Sequence, residues 1–244
     1  MSGRPGECLP RAEFVERLRS EGRQRYHDAH RYHQLMHEGR LTREQLQQWV
    51  LNRYYYQTRI PIKDALILSK SEDPAFRRLW IHRLRDHDGD TAGEGGLALW
   101  LRLAEGVGLD RQEVAGCGTV LPGVRFACDA YVEFVRHSSL LEAVASSLTE
   151  FFAPDIMSKR ILAWERHYPW VSADMLGYFR ARATRARLDA EEAVDFVVRQ
   201  ATSLELQELC VAALIRKTEI LWHLLDCVYA AYVEPAWGPA GARA

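Results

Sequence analysis

Three observations predict an all-α fold for this chain of 244 residues. Apolar residues recur at three- and four-residue steps along almost the whole length, no stretch alternates apolar and polar residues as a half-buried strand does, and the breaks between periodic runs carry helix caps, glycine or proline. No composition shift, repeat or linker marks a boundary, so residues 1–244 read as a single helical bundle, ordered over about 10–233 with flexible ends near 1–8 and 236–244.

Pro10 and Gly22 bracket a first short helix. Thr42-Arg43-Glu44-Gln45 has the form of a capping box, opening a helix through Trp49, Val50, Arg53 and Gln57 towards Pro61, with a further run from Pro61 to Lys70. Asp73-Pro74 supplies an N-cap and a first-turn proline for the stripe Phe76, Leu79, Trp80, Arg83, Leu84 and His87, which stops at Gly89. A glycine-rich loop, Gly89 to Gly96, precedes the run Leu97, Trp100, Leu101, Ala104, and Asp110 to Glu113 starts one more turn. Gly116 to Gly123 is the most loop-like interior stretch; Val124, Ala127, Cys128, Tyr131, Phe134 and Val135 then restore the helical period, and another helix spans Ser139 to Phe152. Pro154 opens the next helix, Pro169 interrupts it, and Ser172 caps the segment with Tyr178 and Arg182. Two long helices close the chain, the last over about Ser203 to Val233 with Leu206, Leu209, Cys210, Ala213, Leu214, Lys217, Ile220, Leu221, Leu224, Leu225 and Val228 on one wide core face.

Composition excludes several classes. With 48% apolar and 27% charged residues the chain is globular, and a net charge of -1 argues against a nucleic-acid or anionic-membrane surface. No segment reaches the ~20 apolar residues of a membrane helix, and Met1 to Pro10 lacks the apolar core of a signal peptide, so a cytoplasmic protein is expected. Cys8, Cys117, Cys128, Cys210 and Cys227 form an odd set without C-x-x-C, which argues against disulfides and structural zinc and for reduced, mostly buried thiols.

The functional signal is a set of charged and hydrogen-bonding residues inside apolar stripes. Arg83 and His87, Arg53 and Gln57, and Tyr178 and Arg182 each share an apolar face at i,i+4, and Lys217 stands in the middle of the last helix's core face. Buried charges need partners. Asp86, Asp88, Glu150 or Asp226 could satisfy any one of them, but several helices aiming cations inward describe a polar cavity for an anionic, oxygen-rich ligand. Tyr56, one residue from Gln57 and three from Arg53, is the tyrosine of the 54–56 run best placed to line it. His27, His30, His33 and His37 invite a metal reading, as do the i,i+4 pairs Glu133/His137 and Glu219/His223. The Glu-x-x-His of di-iron bundles is absent, however, and the histidine run fits a solvated polar face equally well. No nucleophile-elbow, P-loop or dinucleotide fingerprint occurs.

The strings Tyr26-His27, Arg53-Tyr54-Tyr55-Tyr56-Gln57-Thr58 with Ile60-Pro61-Ile62-Lys63-Asp64, Arg83 with Asp86-His87-Asp88-Gly89, Leu121-Pro122-Gly123-Val124-Arg125-Phe126, Leu148-Thr149-Glu150, His167-Tyr168-Pro169-Trp170 and Tyr178-Phe179-Arg180-Ala181-Arg182 are more specific. Over about residues 10–233 the chain resembles the pyrroloquinoline-quinone (PQQ) synthase family. The resemblance implies a haem-oxygenase-like bundle, a cytoplasmic homodimer, and an oxidase that uses neither metal nor organic cofactor. It would close the last ring of a carboxylated quinoline ortho-quinone and oxidise it to PQQ, with dioxygen as co-substrate and hydrogen peroxide released. On the same ground Arg53, Tyr56, Gln57, Lys63, Arg83, Tyr131, Thr149, Glu150, Arg160 and Lys217 would bind substrate. His87 would be the base, with Tyr26 and His27 beside it, and Tyr178 and Arg182 would face oxygen and peroxide. The quinone is the small-molecule partner, and a PQQ-accepting protein is a further one. The chain departs from the family at Met157, where a histidine stands in the oxygen-side pocket; methionine offers neither a proton nor a donor there. Two alternatives follow: a non-catalytic quinone carrier with that pocket degraded, and a metal-dependent oxidase using residues such as Glu219 and His223.

Overall fold

A computed structural model describes residues 8–234; apart from Cys8, the ends expected to be flexible fall outside them. Among the described residues there are twelve α-helices and no strand. They are α1 (Arg11–Arg25), α2 (Arg31–His37), α3 (Arg43–Ser69), α4 (Pro74–Trp80), α5 (His82–Asp88), α6 (Gly95–Gly106), α7 (Arg111–Gly116), α8 (Pro122–His137), α9 (Leu140–Ser146), α10 (Ala153–His167), α11 (Gly177–Gln200) and α12 (Leu204–Tyr232). Short 3-10 segments occupy His27–Ala29, Ser147–Phe152 and Ala173–Leu176. The long helices make the frame: α12 packs on α1, α8 and α9, α3 lies against α5, α6 and α8, and α10 against α11. Among the described residues no helix is long and apolar enough to cross a membrane.

Several starts are where local chemistry puts them. The Thr42 and Gln45 side chains exchange hydrogen bonds with each other's backbone N–H, completing the capping box of α3. Asp73 accepts from the backbone of Ala75 and Phe76, and Ser203 from that of Leu206. Ser172 is different: it precedes a 3-10 turn and makes no side-chain cap bond.

Other boundaries differ from the sequence reading for tertiary reasons. Pro61 does not divide two helices; α3 runs through it, and the buried ring accepts the loss of one backbone bond in exchange for packing. Gly22 does not end α1 but sits inside it, because a Cβ there would lie 2.6 Å from the Phe152 ring. The stripe from Phe76 to His87 is broken at Ile81 into α4 and α5, and the loop expected over 116–123 is shorter, since α7 reaches Gly116 and α8 starts at Pro122. Leu209, placed on the core face of α12, is exposed, while Gln207 is buried and bonds the backbone of Leu9. The five cysteines are free thiols, of which Cys128 and Cys210 are buried.

Candidate active site

A cavity of about 70 Å³ lies inside the bundle. Helix α3 supplies its longest wall, because Arg53, Tyr56, Ile60 and Lys63 fall on one face at three- and four-residue steps. Helix α12 adds Lys217 and Leu221, α8 adds Tyr131, α5 adds His87, and α11 adds Tyr178 and Arg182. The wall closes with Ser147, Thr149 and Glu150 of the 3-10 segment, Met157 of α10, and Tyr26 and His27 at the end of α1. Gln57, Arg83 and Arg160 stand just behind it, each touching a lining residue: Tyr178 donates to Gln57 at 2.7 Å, Arg83 donates to Glu150 at 2.7 and 2.9 Å, and Arg160 donates to the Met157 thioether at 3.6 Å.

The basic groups divide in two. Lys63 pairs with Asp64 at 2.7 Å and donates to Ser147, Arg83 pairs with Glu150, and Arg182 lies 3.1 Å from Asp189. Burial opposes the Lys63 ammonium, but Asp64 beside it leaves its pKa raised. Arg53, Arg160 and Lys217 have no carboxylate within ion-pair reach among the described residues, and each has a buried nitrogen without a hydrogen-bond partner. Aromatic faces take the place of anions: Arg53 lies 4.1 Å over Tyr56, Lys217 lies 3.2 Å over Tyr131, and Arg160 lies 4.8 Å over Trp49. Burial, with neighbouring positive charge, pushes Arg160 down to about 9 and Lys217 well below the usual lysine range. The cavity's own side chains are therefore short of negative charge.

The two histidines that line the cavity are neutral and directional. His87 donates from Nδ1 to the Arg83 carbonyl at 3.1 Å, which leaves Nε2 as the lone-pair nitrogen at the cavity. Burial, then the Arg182 charge, lowers it to about 4. His27 is likewise held neutral by burial and by Arg53 and Arg160, stacks on Tyr26 at 4.3 Å, and has an unpartnered Nδ1. Burial raises the Tyr26, Tyr56 and Tyr178 phenols, so they remain hydrogen-bond donors.

The histidine run is not a solvated face. His30 and His33 are buried; His30 caps α2 by accepting from Tyr32, and His33 donates to the His27 carbonyl while accepting from Arg160 at 3.3 Å. The pairs Glu133/His137 and Glu219/His223 lie on the outer surface, away from the cavity. Ser147, Asp64 and Asp189 are parts of the site that the sequence reading missed. A serine following another serine, and carboxylates within charged helices, carry no pattern that marks them as buried.

Comparison with known proteins gives the family and the fold. Residues 15–227 match the TENA/THI-4/PQQC family. The chain belongs to that family. A family relative from Acidiphilium cryptum, pyrroloquinoline-quinone synthase, is 49% identical over 230 residues, 94% of each chain. Another of the same name, from Xanthomonas euvesicatoria, is 50% identical over 218 residues, covering 89% of this chain and 87% of that one. The bifunctional coenzyme PQQ synthesis protein C/D of Methylorubrum extorquens is 47% identical over 96% of this chain and 63% of its own. The fold is shared with solved structures of low sequence identity. A domain from Shewanella denitrificans with a haem-oxygenase-like fold superposes with a TM-score of 0.75 at 14% identity, covering 97% of this chain and 98% of that one. A TenA homologue from Pseudomonas syringae gives 0.68 at 13% identity, covering 91% and 97%.

Proposed function

We propose that the chain catalyses the final ring closure and oxidation that yield PQQ, taking a carboxylated quinoline ortho-quinone as substrate and dioxygen as oxidant. The observation that carries this reading is the charge of the cavity. Six basic side chains surround it and three are matched by Asp64, Glu150 and Asp189, leaving Arg53, Arg160 and Lys217 for a ligand with three carboxylates. About 70 Å³ is smaller than such a ligand, so binding must widen the wall.

Ring closure adds the side-arm amine to a ring carbon conjugated with the quinone, both carbonyls being kept, and each oxidation removes two hydrogens from the ring system as two electrons and two protons pass to dioxygen, giving hydrogen peroxide. The Nε2 lone pair of His87 is the base. Its pKa is depressed by burial and by the Arg182 charge, and a carboxylate bound beside it moves it back up. Arg182 offers fixed positive charge where reduced oxygen becomes negative, and Tyr178 donates there once its hydroxyl turns from Gln57. The substrate ring holds the electrons between steps, so the reading requires neither flavin nor metal. It carries a cytoplasmic homodimer and transfer of PQQ to an accepting protein as further proposals; light scattering checks the dimer.

A carrier is the second reading, favoured by Met157: its thioether accepts weakly from Arg160 and offers no proton on the oxygen side. Aerobic incubation of chelator-treated protein with the precursor, following PQQ absorbance and peroxide together, separates them. Formation of both supports the synthase; PQQ binding without turnover supports the carrier.

A further inference from the structure

Asp189 lies outside the cavity lining, yet it joins two arginines of the site. It is 1% exposed, on α11 two turns beyond Arg182 and on the same face. Its Oδ2 stands 3.1 Å from the Arg182 guanidinium, its Oδ1 accepts from His82 Nε2 at 3.0 Å, and its backbone carbonyl accepts from Arg83. The other ring nitrogen of His82 bonds the Leu79 carbonyl. A carbonyl and a carboxylate are both acceptors, so both nitrogens of His82 donate and the ring is an imidazolium. His82, Asp86 and Asp189 could together face a metal ion, but Arg182 and Arg185 already occupy the two carboxylates and oppose a cation.

We propose that Asp189, clamped by His82, is a positioning residue for the oxidation, holding the Arg182 guanidinium at the cavity wall. The inference rests on the oxidase reading of Arg182. Without the Asp189 charge, Arg182 is free to swing towards Glu150, whose carboxylate lies 3.8 Å away and is already engaged by Arg83. The arrangement separates two effects in one residue. Substituting the side chain releases Arg182, whereas the backbone carbonyl that orients Arg83 survives.

The test compares kcat and KM for the precursor, and Kd for PQQ, in wild type, Asp189→Asn, Arg182→Gln, the double variant, His82→Leu and His82→Gln. Asp189→Asn should lower kcat about 100-fold, the scale of a misplaced catalytic group, with the PQQ Kd changed less than roughly threefold. The double variant should be no slower than Arg182→Gln within about twofold, because the two substitutions remove one interaction. His82→Leu should lower kcat in the same direction, and His82→Gln, which keeps a donor for Asp189, should restore part of it. Multiplicative losses in the double variant, an unchanged kcat in Asp189→Asn, or equal losses of kcat and affinity would overturn the inference. If Asp189→Asn does not fold, the order of the two His82 variants decides: Leu equal to Gln overturns it. A wild type that binds PQQ but turns over no precursor would instead remove the oxidase reading and this inference with it.

Discussion

Lys217 shows what the site asks of a single side chain. Its amino nitrogen has aromatic rings for company and no hydrogen-bond partner, so burial disfavours its charged form until a ligand supplies the anion. Lys217→Ala should weaken PQQ binding by about 2 kcal/mol, roughly 30-fold, as expected for a charge-assisted hydrogen bond. A titration giving the wild-type Kd would take Lys217 out of the ligand site. His87→Asn should leave binding largely intact and slow turnover about 100-fold or more in steady-state assays, the usual contribution of a general base. Met157 lines the cavity as a thioether, and Met157→His should raise the oxidation rate under air; an equal rate would show that this position does not limit oxygen handling.

At the scale of elements, the loop after α5 holds His87 in place by backbone shape. Gly95 has φ +78, and a Cβ on it would lie 2.4 Å from the Gly89 nitrogen and 2.6 Å from the His87 carbonyl. Gly95→Ala should therefore destabilise the fold by more than about 1 kcal/mol, read as a lower Tm, and should depress activity at temperatures where the protein remains folded. Legibility in the sequence follows the same divide between local and tertiary causes. The caps at Thr42 and Asp73 were readable because each involves residues two or three positions apart. Passage of α3 through Pro61 and of α1 through Gly22 was not, since both depend on packing from distant segments. The i,i+4 pairs on apolar faces marked Arg53, Gln57, Arg83 and His87 as buried or nearly so, but which cation met which carboxylate was hidden. Glu150 is 67 residues from Arg83 along the chain, and His33 is 127 from Arg160.

For the whole molecule, the buried histidines set the acid limit of stability. Burial holds His27 and His33 well below the usual histidine range and His37 and His87 at about 4, so between about 4 and 6.5 the unfolded chain binds more protons than the folded one. Stability should fall as pH drops through that window. His82 acts oppositely, its contribution being present at low pH and lost as pH rises through its raised pKa, and the carboxyls of Asp88, Glu150 and Glu192, raised by burial, act with it, but the four histidine shifts are the larger ones. Denaturant midpoints at pH 7 and pH 5 measure the net effect, with a lower midpoint expected at pH 5.

The same electrostatics yields the most direct check on the claim that the bundle encloses a cavity awaiting a tricarboxylate. Lys217 is depressed in the empty protein, so an anionic ligand should bring a proton with it. PQQ titrated calorimetrically from about pH 7 to pH 10 in two buffers of different ionisation enthalpy should bind with net proton uptake in the part of that range where Lys217 has lost its proton before binding, and the uptake should be smaller in Lys217→Ala. Absence of binding, or binding with no proton uptake, would contradict the account.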